Sequence, residues 1–545
     1  MQMDMYINLD SYLIFFPFKH LLLLLKMSIG LKIKEIFCSP GRQHQIQFAA
    51  PTQFVSKSHD YQVVGEEISP EALYNSEKRK PWGGRLFDNI TQYAGSRISF
   101  LATLLILLIW AAVGAALGAP EFWQIFMQNA GSIQCYISDT LLMRQQQNHC
   151  QKLLTIISQL RSRITTVGRL LRSNDIHKEA PTAVELEEHS EDHSSIAEAK
   201  LENAIHLPNE HWFDKCCNWV SIAVGSIYAL VFYWSGIIVW VALGKMMGYS
   251  DLWQLYINTA VAVELTFTSM FLQNTRRRHM EYLEKCLKSI MLTDCELETL
   301  LRRNTGDNEP NPVITIDPHP VTRAIRAIDY YGDVIGSGVG VSVSTVVFTV
   351  WICMGNMMNW SADWWLIIGT YTGLVGFIDG FVLRNVYFRQ DVILDEQFEV
   401  LSELDESLFQ YLNVTLPSKA EAQKTSLIKK ISNHMGVLCA KPIAVSISIL
   451  IVLALIGVAS SMGWNQTGQL LCNTPTMILE GFLLIVLIQA HNLSNMKRRL
   501  QLRDILVRRI SLLRYAKALT GVTLNEKDVT TEFAISSKKE AFSKN

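Results

Sequence analysis

Strongly apolar stretches and generally more polar ones alternate along this chain. Four strongly apolar stretches cover residues 98–117, 220–243, 335–354 and 443–458. Each is followed, after a short loop, by a more polar stretch, at residues 124–143, 255–272, 366–383 and 470–488. About 20 apolar residues are enough for an α-helix to cross the hydrocarbon core of a bilayer. The pattern therefore predicts an all-α integral membrane protein with eight transmembrane helices in four pairs.

Fixed spacings within the pairs indicate duplication of one unit. A Gly-Ser dipeptide precedes a tryptophan in three units, with the glycine 15 residues before it, at Gly95, Gly225 and Gly336. A second tryptophan follows the first after 13 residues, giving the pairs Trp110 and Trp123, Trp240 and Trp253, and Trp351 and Trp364. The fourth unit is more divergent, because Leu453 and Gln466 replace its tryptophans. This spacing predicts four helical-hairpin repeats.

The positions of Lys and Arg predict the orientation of the hairpins. The turns within the pairs carry one cation, Lys245. The segments that leave the second helices carry many more, among them residues 276–278, Arg384, Arg389 and residues 497–499. By the positive-inside rule, both termini and all segments between units are expected to be cytosolic. The four hairpins then enter the membrane in the same orientation, as parallel repeats.

Apolar residues at helical spacing follow each second helix, which predicts cytosolic amphipathic helices between the units. The expected organisation is a cytosolic amino-terminal region, four hairpin units each with a cytosolic helix, two linkers and a polar tail. The amino-terminal region is residues 27–85, and the polar tail is residues 521–545. The four hairpin units with their cytosolic helices are residues 86–173, 212–305, 327–415 and 432–520. The two linkers are residues 174–211 and 306–326. The acidic, histidine-bearing linker 174–211 is interpreted as a solvated linker rather than a metal-sensing segment.

The first 26 residues need a separate interpretation. Their apolar segment, residues 12–25, is interrupted by Pro17, Lys19 and His20, and is too short to cross a bilayer. It is either a poor signal-type segment, although no small-residue cleavage site follows, or an extension that precedes a translation start at Met27. The second interpretation is favoured.

Composition narrows the class of function. Only 18% of the 545 residues are charged, against roughly 25% in soluble domains, and the mean hydropathy is +0.16. The formal net charge of −1 provides no basic surface for nucleic acid. The ten cysteines contain no C-x-x-C pair, and nucleotide-binding and hydrolase motifs are missing from the sequence. We therefore expect neither an enzyme nor a bound cofactor.

Acidic side chains within the predicted spans are the strongest chemical signal. Asp139, Glu264, Asp379 and Glu480 all lie in second helices, where a charge costs several kcal/mol unless it is paired or hydrated. If the second helices line a common centre, these carboxylates form a divalent-cation site, because such metals as Mn²⁺ and Fe²⁺ favour oxygen ligands. The alternative for each acid is an interhelical hydrogen bond or ion pair.

Further candidate residues extend this path. Gln134, Met143 and Asn473 are expected near the acids. His491 lies eleven residues beyond Glu480 and would continue the same helix face about 16 Å further inward. A membrane potential of 100 mV provides about 4.6 kcal/mol for a divalent ion, so entry of the cation needs no nucleotide hydrolysis.

Segments of the first unit resemble the fungal low-affinity iron permease family. They are residues 131–145, the preceding residues 123–128, residues 87–97 and residues 32–41. The resemblance implies a plasma-membrane permease for Fe²⁺, with limited selectivity against other divalent metals and a separate ferrireductase that supplies the reduced ion. It also implies that Gln134, Asp139, Met143 and Arg144 are motif residues, whereas the other acids depend on the repeat.

Two functions of different classes are consistent with the sequence. The first is a divalent-metal permease, in which uniport, proton coupling and channel conduction all remain open. The second is a non-transporting membrane metal sensor or scaffold that acts through its cytosolic helices. The four intramembrane acids favour the permease.

Overall fold

The structure is a computed structural model that describes residues 45–53, 82–173, 212–416 and 434–520. Its elements are β1 (Ile46–Phe48), α1 (Trp82–Ala94), α2 (Arg97–Leu117), α3 (Glu121–Arg172), α4 (Trp212–Val224), α5 (Ile227–Gly244), α6 (Asp251–Thr305), β2 (Ile314–Ile316), α7 (Arg323–Ile335), α8 (Gly338–Met357), α9 (Ala362–Tyr411), α10 (Pro442–Ser461) and α11 (Gln466–Thr520). The predictions for residues 1–26, the translation start at Met27, the linker 174–211 and the tail 521–545 lie outside the described residues.

Four long helices, α3, α6, α9 and α11, form the centre of the molecule and contain 50–55 residues each. The sequence predicted a second transmembrane helix and a separate cytosolic helix in each unit. Instead, the two segments form one continuous helix in all four units. No proline interrupts α3, α6 or α9, and the apolar positions keep their helical spacing throughout.

The long helices surround a common axis. α3 contacts α6 and α9, and α11 contacts the same two helices, so that α3 and α11 are diagonally opposite. Residues that face the axis recur at alternating spacings of three and four, as in coiled coils. One layer consists entirely of buried leucines: Leu142, Leu272, Leu383 and Leu487. The axis is therefore lined by equivalent positions of the four units.

Four shorter helices, α2, α5, α8 and α10, lie outside this ring. Their most apolar segments are 11–22% buried, whereas those of α6, α9 and α11 are 72–83% buried. Within the described residues, seven helices are long and apolar enough to cross a membrane, namely the four outer helices together with α6, α9 and α11. The protein is thus an all-α, multi-pass membrane protein whose outer helices present their apolar faces to lipid.

Paired tryptophans hold three of the outer helices against the long helices. Trp110 and Trp123 stack with their ring centroids 3.8 Å apart, and the equivalent pairs of the second and third units stack at 4.0 and 4.3 Å. The Trp123 indole N–H donates to the backbone oxygen of Trp110. A side chain at Gly114 would overlap the Trp123 ring, and one at Gly244 or Gly355 would overlap the ring of Tyr249 or Trp360. These contacts explain why a glycine follows each first tryptophan by four residues.

The serines of the repeated Gly-Ser dipeptides cap the outer helices. The Ser96 hydroxyl accepts a hydrogen bond from the Ser99 backbone N–H at the start of α2, and Ser226 and Ser337 do the same for α5 and α8. Such N-caps contribute about 1 kcal/mol each. The dipeptides therefore mark the corner at which each outer helix begins.

Short helices α1, α4 and α7 precede these corners and were not anticipated from the sequence. Each is fixed to a long helix by a polar contact between two residues that are 60 positions apart in the sequence. These contacts join Asn148 to Asp88, Arg278 to Asn218, and Arg389 to Asp329. The same spacing therefore recurs at three places in the described part of the chain.

Beyond the membrane-spanning part, the long helices continue as one packed unit, here called the distal bundle (residues 150–172, 280–305, 391–411 and 495–520). Leucine and isoleucine side chains form its core, and buried ion pairs cross it. Glu298 accepts from Arg302 and is paired with Arg163, and all three side chains are at most 1% exposed. The strands β1 and β2 pair antiparallel beside this bundle.

Candidate metal site

A thiol and two carboxyl groups meet at the axis of the ring. One ligand atom from each of Cys135, Asp139 and Glu480 lies within 4.8 Å of the other two. Cys135 and Asp139 are one turn apart on α3, and Glu480 lies on the diagonally opposite helix α11. All three side chains are at most 3% exposed. Oxygen and sulfur atoms in this arrangement can hold a divalent metal ion from two sides.

Glycines on α9 provide the space for this group. Gly369, Gly373, Gly376 and Gly380 recur at spacings of four, three and four along the helix face that lines the axis. The position of a Cβ atom at Gly376 would be 2.8 Å from Glu480 Oε1. Any larger residue at this position would displace the carboxylate. This glycine series was not predicted, although its spacing is visible in the sequence.

An arginine also lies at the centre of the ring. Arg384 is 1% exposed, and its Nη1 donates to the backbone oxygen of Gly380. Its Nε and Nη2 atoms have no hydrogen-bond partner among the described residues. The guanidinium interacts electrostatically with Asp139 and Glu480. Arg384 was expected among the cations of the segments that leave the second helices, whereas the structure buries it next to the acidic group.

Glu264 and Asp379 flank the central group without joining it. Glu264 lies where α6 meets α11: its Oε1 accepts from Thr268 at 2.9 Å, and its Oε2 would be 2.6 Å from a Cβ atom at Gly481. Asp379 Oδ1 accepts from the Tyr331 hydroxyl of α7 at 2.6 Å, while its Oδ2 has no partner in the described part of the chain.

The four predicted acids nevertheless lie at similar depth. In each turn between an outer helix and the following long helix, two consecutive residues have positive φ angles, and the second of them is Ala119, Tyr249, Trp360 or Trp464. The acids lie 15 to 20 residues beyond these turn residues along the chain. Five residues of α-helix correspond to about 7.5 Å along the axis. The structure therefore places the acids in one narrow zone, with Asp139 and Glu480 closest together.

The other predicted residues occupy different places. Gln134 donates to Ser138 and Ser269 and connects α3 with α6. Met143 packs against Gly332 of α7. Asn473 lies against Gly373 of α9, one to two turns nearer the hairpin end than Glu480. His491 is 6% exposed and contacts the Tyr387 ring at a centroid distance of 4.6 Å, beyond the leucine layer. Their roles in metal binding stay predictions.

Comparison with known proteins identifies the family. Residues 213–298, 326–414 and 428–538 match the family model described as low affinity iron permease. The chain belongs to the low-affinity iron permease family. The family inferred from the first unit is thereby confirmed by matches that lie in the other three units.

Two relatives in this family match most of the chain. The low-affinity iron/zinc ion transport protein fet4 of Schizosaccharomyces pombe is 49% identical over 510 residues, which are 90% of this chain and 86% of the relative. The low-affinity Fe(2+) transport protein of Saccharomyces cerevisiae is 38% identical over 541 residues, 89% of this chain and 98% of the relative. No solved structure matches the chain. Both relatives are named transport proteins, so the sensor interpretation is not favoured.

Proposed function

We propose that this member of the low-affinity iron permease family is a plasma-membrane permease that admits Fe²⁺ and other divalent metals through the axis of the long helices. The observation that carries the proposal is the group formed by Cys135, Asp139 and Glu480, whose ligand atoms lie within 4.8 Å of one another at the buried centre. The relatives named for iron and zinc transport support the same substrate class.

The ligand set suits transport rather than permanent binding. Carboxylate oxygens accept Fe²⁺ and Mn²⁺, and the thiolate of Cys135 adds affinity for softer ions such as Zn²⁺. Three protein ligands leave coordination positions for water, so that the ion can leave again. The metal is the transported substrate in this proposal, and no resident cofactor or enzymatic step is needed.

The proposed arrangement has eight membrane crossings, in four parallel hairpins. The eighth crossing is the first part of α3, which is more polar than the other spans because it carries Gln128, Asn129, Gln134 and Asp139. These side chains do not need to contact lipid, since α6 and α9 pack on either side of α3. Excess Lys and Arg in the distal half support a cytosolic location for both termini.

Flux is driven by the membrane potential in this proposal. An inside-negative potential of 100 mV supplies about 4.6 kcal/mol for a divalent ion. The reduced ion would come from a separate ferrireductase. Glu264 and Asp379 supply negative charge beside the path, Gln134 and Met143 keep α3 in place, and Asn473 and His491 mark the path before and after the central group.

Uptake of labelled Fe²⁺ by the purified full-length protein in liposomes with an imposed inside-negative potential tests the proposal. We expect Asp139→Asn and Glu480→Gln each to reduce the rate at least tenfold. Glu281→Gln is the matched control, because Glu281 is an exposed acid on α6 that pairs with Arg277. Wild-type rates in both central variants would contradict the assigned site, and a wild-type protein without uptake would contradict the function.

A further inference from the structure

A layer of carboxamides lies between the hairpin turns and the acidic group. Gln128, Asn258 and Asn473 are each the ninth residue after the second positive-φ residue of their turn, and Asn129 follows Gln128. We call these four residues the amide layer. Their side chains are 0–1% exposed. In α9 the ninth residue after Trp360 is Gly369, which has no side chain. The layer is therefore built by three of the four long helices.

The polar atoms of this layer lack partners. Both the side-chain nitrogen and the side-chain oxygen of every member are buried without a hydrogen-bond partner among the described residues. An unsatisfied buried polar atom costs roughly 1–3 kcal/mol, so eight such atoms would cancel a stability of about 5–15 kcal/mol. Elsewhere in the ring comparable amides make at least one hydrogen bond, since the side-chain nitrogens of Gln134 and Gln273 both donate to the Ser138 hydroxyl. The amide layer is therefore built to surround a polar guest.

The glycines of α9 give the layer its space. A Cβ atom at Gly369 would overlap the side-chain oxygen of Asn129, and one at Gly373 would overlap that of Asn473. The carboxamides of Asn129 and Asn473 thus lie against the bare backbone of α9. Toward the turns, a layer of buried apolar side chains closes this space: Ile125, Leu255, Leu366 and Leu470.

Electrostatics favour a cation as the guest. Glu480 lies seven residues beyond Asn473 on α11, or about 10 Å along the axis. Glu121 and Asp251 stand at the first residues of α3 and α6, on the other side of the layer. The long helices carry no Lys or Arg before Arg144, Arg276, Arg384 and Lys497. Uncharged amide oxygens bind a divalent ion weakly, which suits an ion that keeps part of its water shell.

We propose that the amide layer is a second metal station, which holds a partly hydrated divalent cation before the ion reaches Cys135, Asp139 and Glu480. The proposal rests on the proposed transport function. It adds a first site to the path, so that the ion loses its water in two steps, one at each station. Neutral ligands at the first station and charged ligands at the second would let the ion move forward without a deep trap at the entrance.

Mn²⁺ binding to the purified full-length protein, followed by electron paramagnetic resonance, separates the two stations. The Asp139→Asn/Glu480→Gln double variant is expected to lose the central site but keep one weakly bound Mn²⁺, whose exchangeable water protons are visible by electron-nuclear double resonance. Adding Asn258→Leu should weaken this remaining binding at least tenfold. Asn356→Leu is the matched control, because Asn356 is exposed on the outer helix α8.

A gain-of-binding variant covers the case in which Asn258→Leu fails to fold. Asn258→Asp puts a charge into the layer, and we expect it to tighten Mn²⁺ binding at least tenfold in the same double-variant background. The proposal is overturned if the double variant binds no Mn²⁺, or if neither change at position 258 alters its affinity. Uptake by the wild type is judged separately, so that transport can be confirmed while the amide layer is rejected.

Discussion

Replacement of Arg384 tests how the central group achieves low affinity. The guanidinium lies next to Gly380 on α9, at the register position that Asp139 occupies on α3. It therefore acts as a fixed cation beside the site into which the metal enters. Met143 stands at the equivalent position of α3, so that Arg384→Met removes the charge with a side chain that this fold already accommodates.

The expected effect follows from Coulomb repulsion. Neighbouring helix axes in such bundles are about 8–10 Å apart, so an ion between α3 and α11 lies roughly 8 Å from the guanidinium. At an effective dielectric constant of ~20, a unit charge and a divalent ion repel each other there by about 4 kcal/mol. Movement of side chains and water reduces this figure. We therefore expect at least a tenfold decrease in the KM for Fe²⁺, with a lower kcat because a tightly held ion leaves slowly.

Initial uptake rates over a range of Fe²⁺ concentrations in liposomes provide both constants. Arg384→Lys is the charge-conserving control and should keep a KM close to that of the wild type. A fall in kcat alone, with an unchanged KM in Arg384→Met, would refute the counter-charge role and indicate that Arg384 only supports the packing of α9.

Three further predictions concern other parts of the structure. Cys135→Ser should weaken the inhibition of Fe²⁺ uptake by Zn²⁺ more than the inhibition by Mn²⁺, because thiolates favour softer ions. An unchanged ranking of the two competing metals would argue against a sulfur ligand. Glu298→Gln removes the ion-pair partner of Arg163 and leaves Arg302 paired with Asp307 alone in the distal bundle. This change should lower the free energy of unfolding by about 3–5 kcal/mol, measured by denaturant unfolding in detergent. A loss below about 1 kcal/mol would contradict a structural ion pair. His149 lies beyond the membrane-spanning part of α3, and its pKa is lowered to about 3 by burial and by the nearby charge of Arg276. The unfolded chain binds a proton at this histidine below about pH 6.5 while the folded protein does not, so stability should fall as the pH drops from there toward 3, by up to about 1.4 kcal/mol per pH unit. Thermal midpoints against pH should show a shallower decline for His149→Gln, and identical curves would refute the assignment.

The sequence predicted the features that depend on local spacing. The tryptophans 13 residues apart form stacked pairs, because a tight turn returns the chain beside itself. Acids at similar distances from their turns reach similar depth, because the rise of an α-helix is constant. Family membership followed from the motif around Asp139, and the family model confirmed it.

Features that depend on packing between units could not be predicted in the same way. The order of the long helices around the axis is α3, α6, α11, α9, which differs from their order in the chain. This order brings Cys135 opposite Glu480, so that a cysteine not singled out among the candidate residues joins the acids. The side on which Arg384 folds back is also a tertiary property, because it depends on the space left by Gly380.

X-ray absorption spectroscopy of the Zn²⁺-loaded protein tests the central claim most directly. Zinc held by Cys135, Asp139 and Glu480 should have one sulfur neighbour at about 2.3 Å and oxygen neighbours at about 2.0–2.2 Å. The sulfur contribution should disappear in Cys135→Ser and persist in Cys353→Ser, which changes an exposed thiol on the outer helix α8. A wild-type spectrum without sulfur, or one that Cys135→Ser leaves unchanged, would contradict the proposed metal site at the axis of the ring.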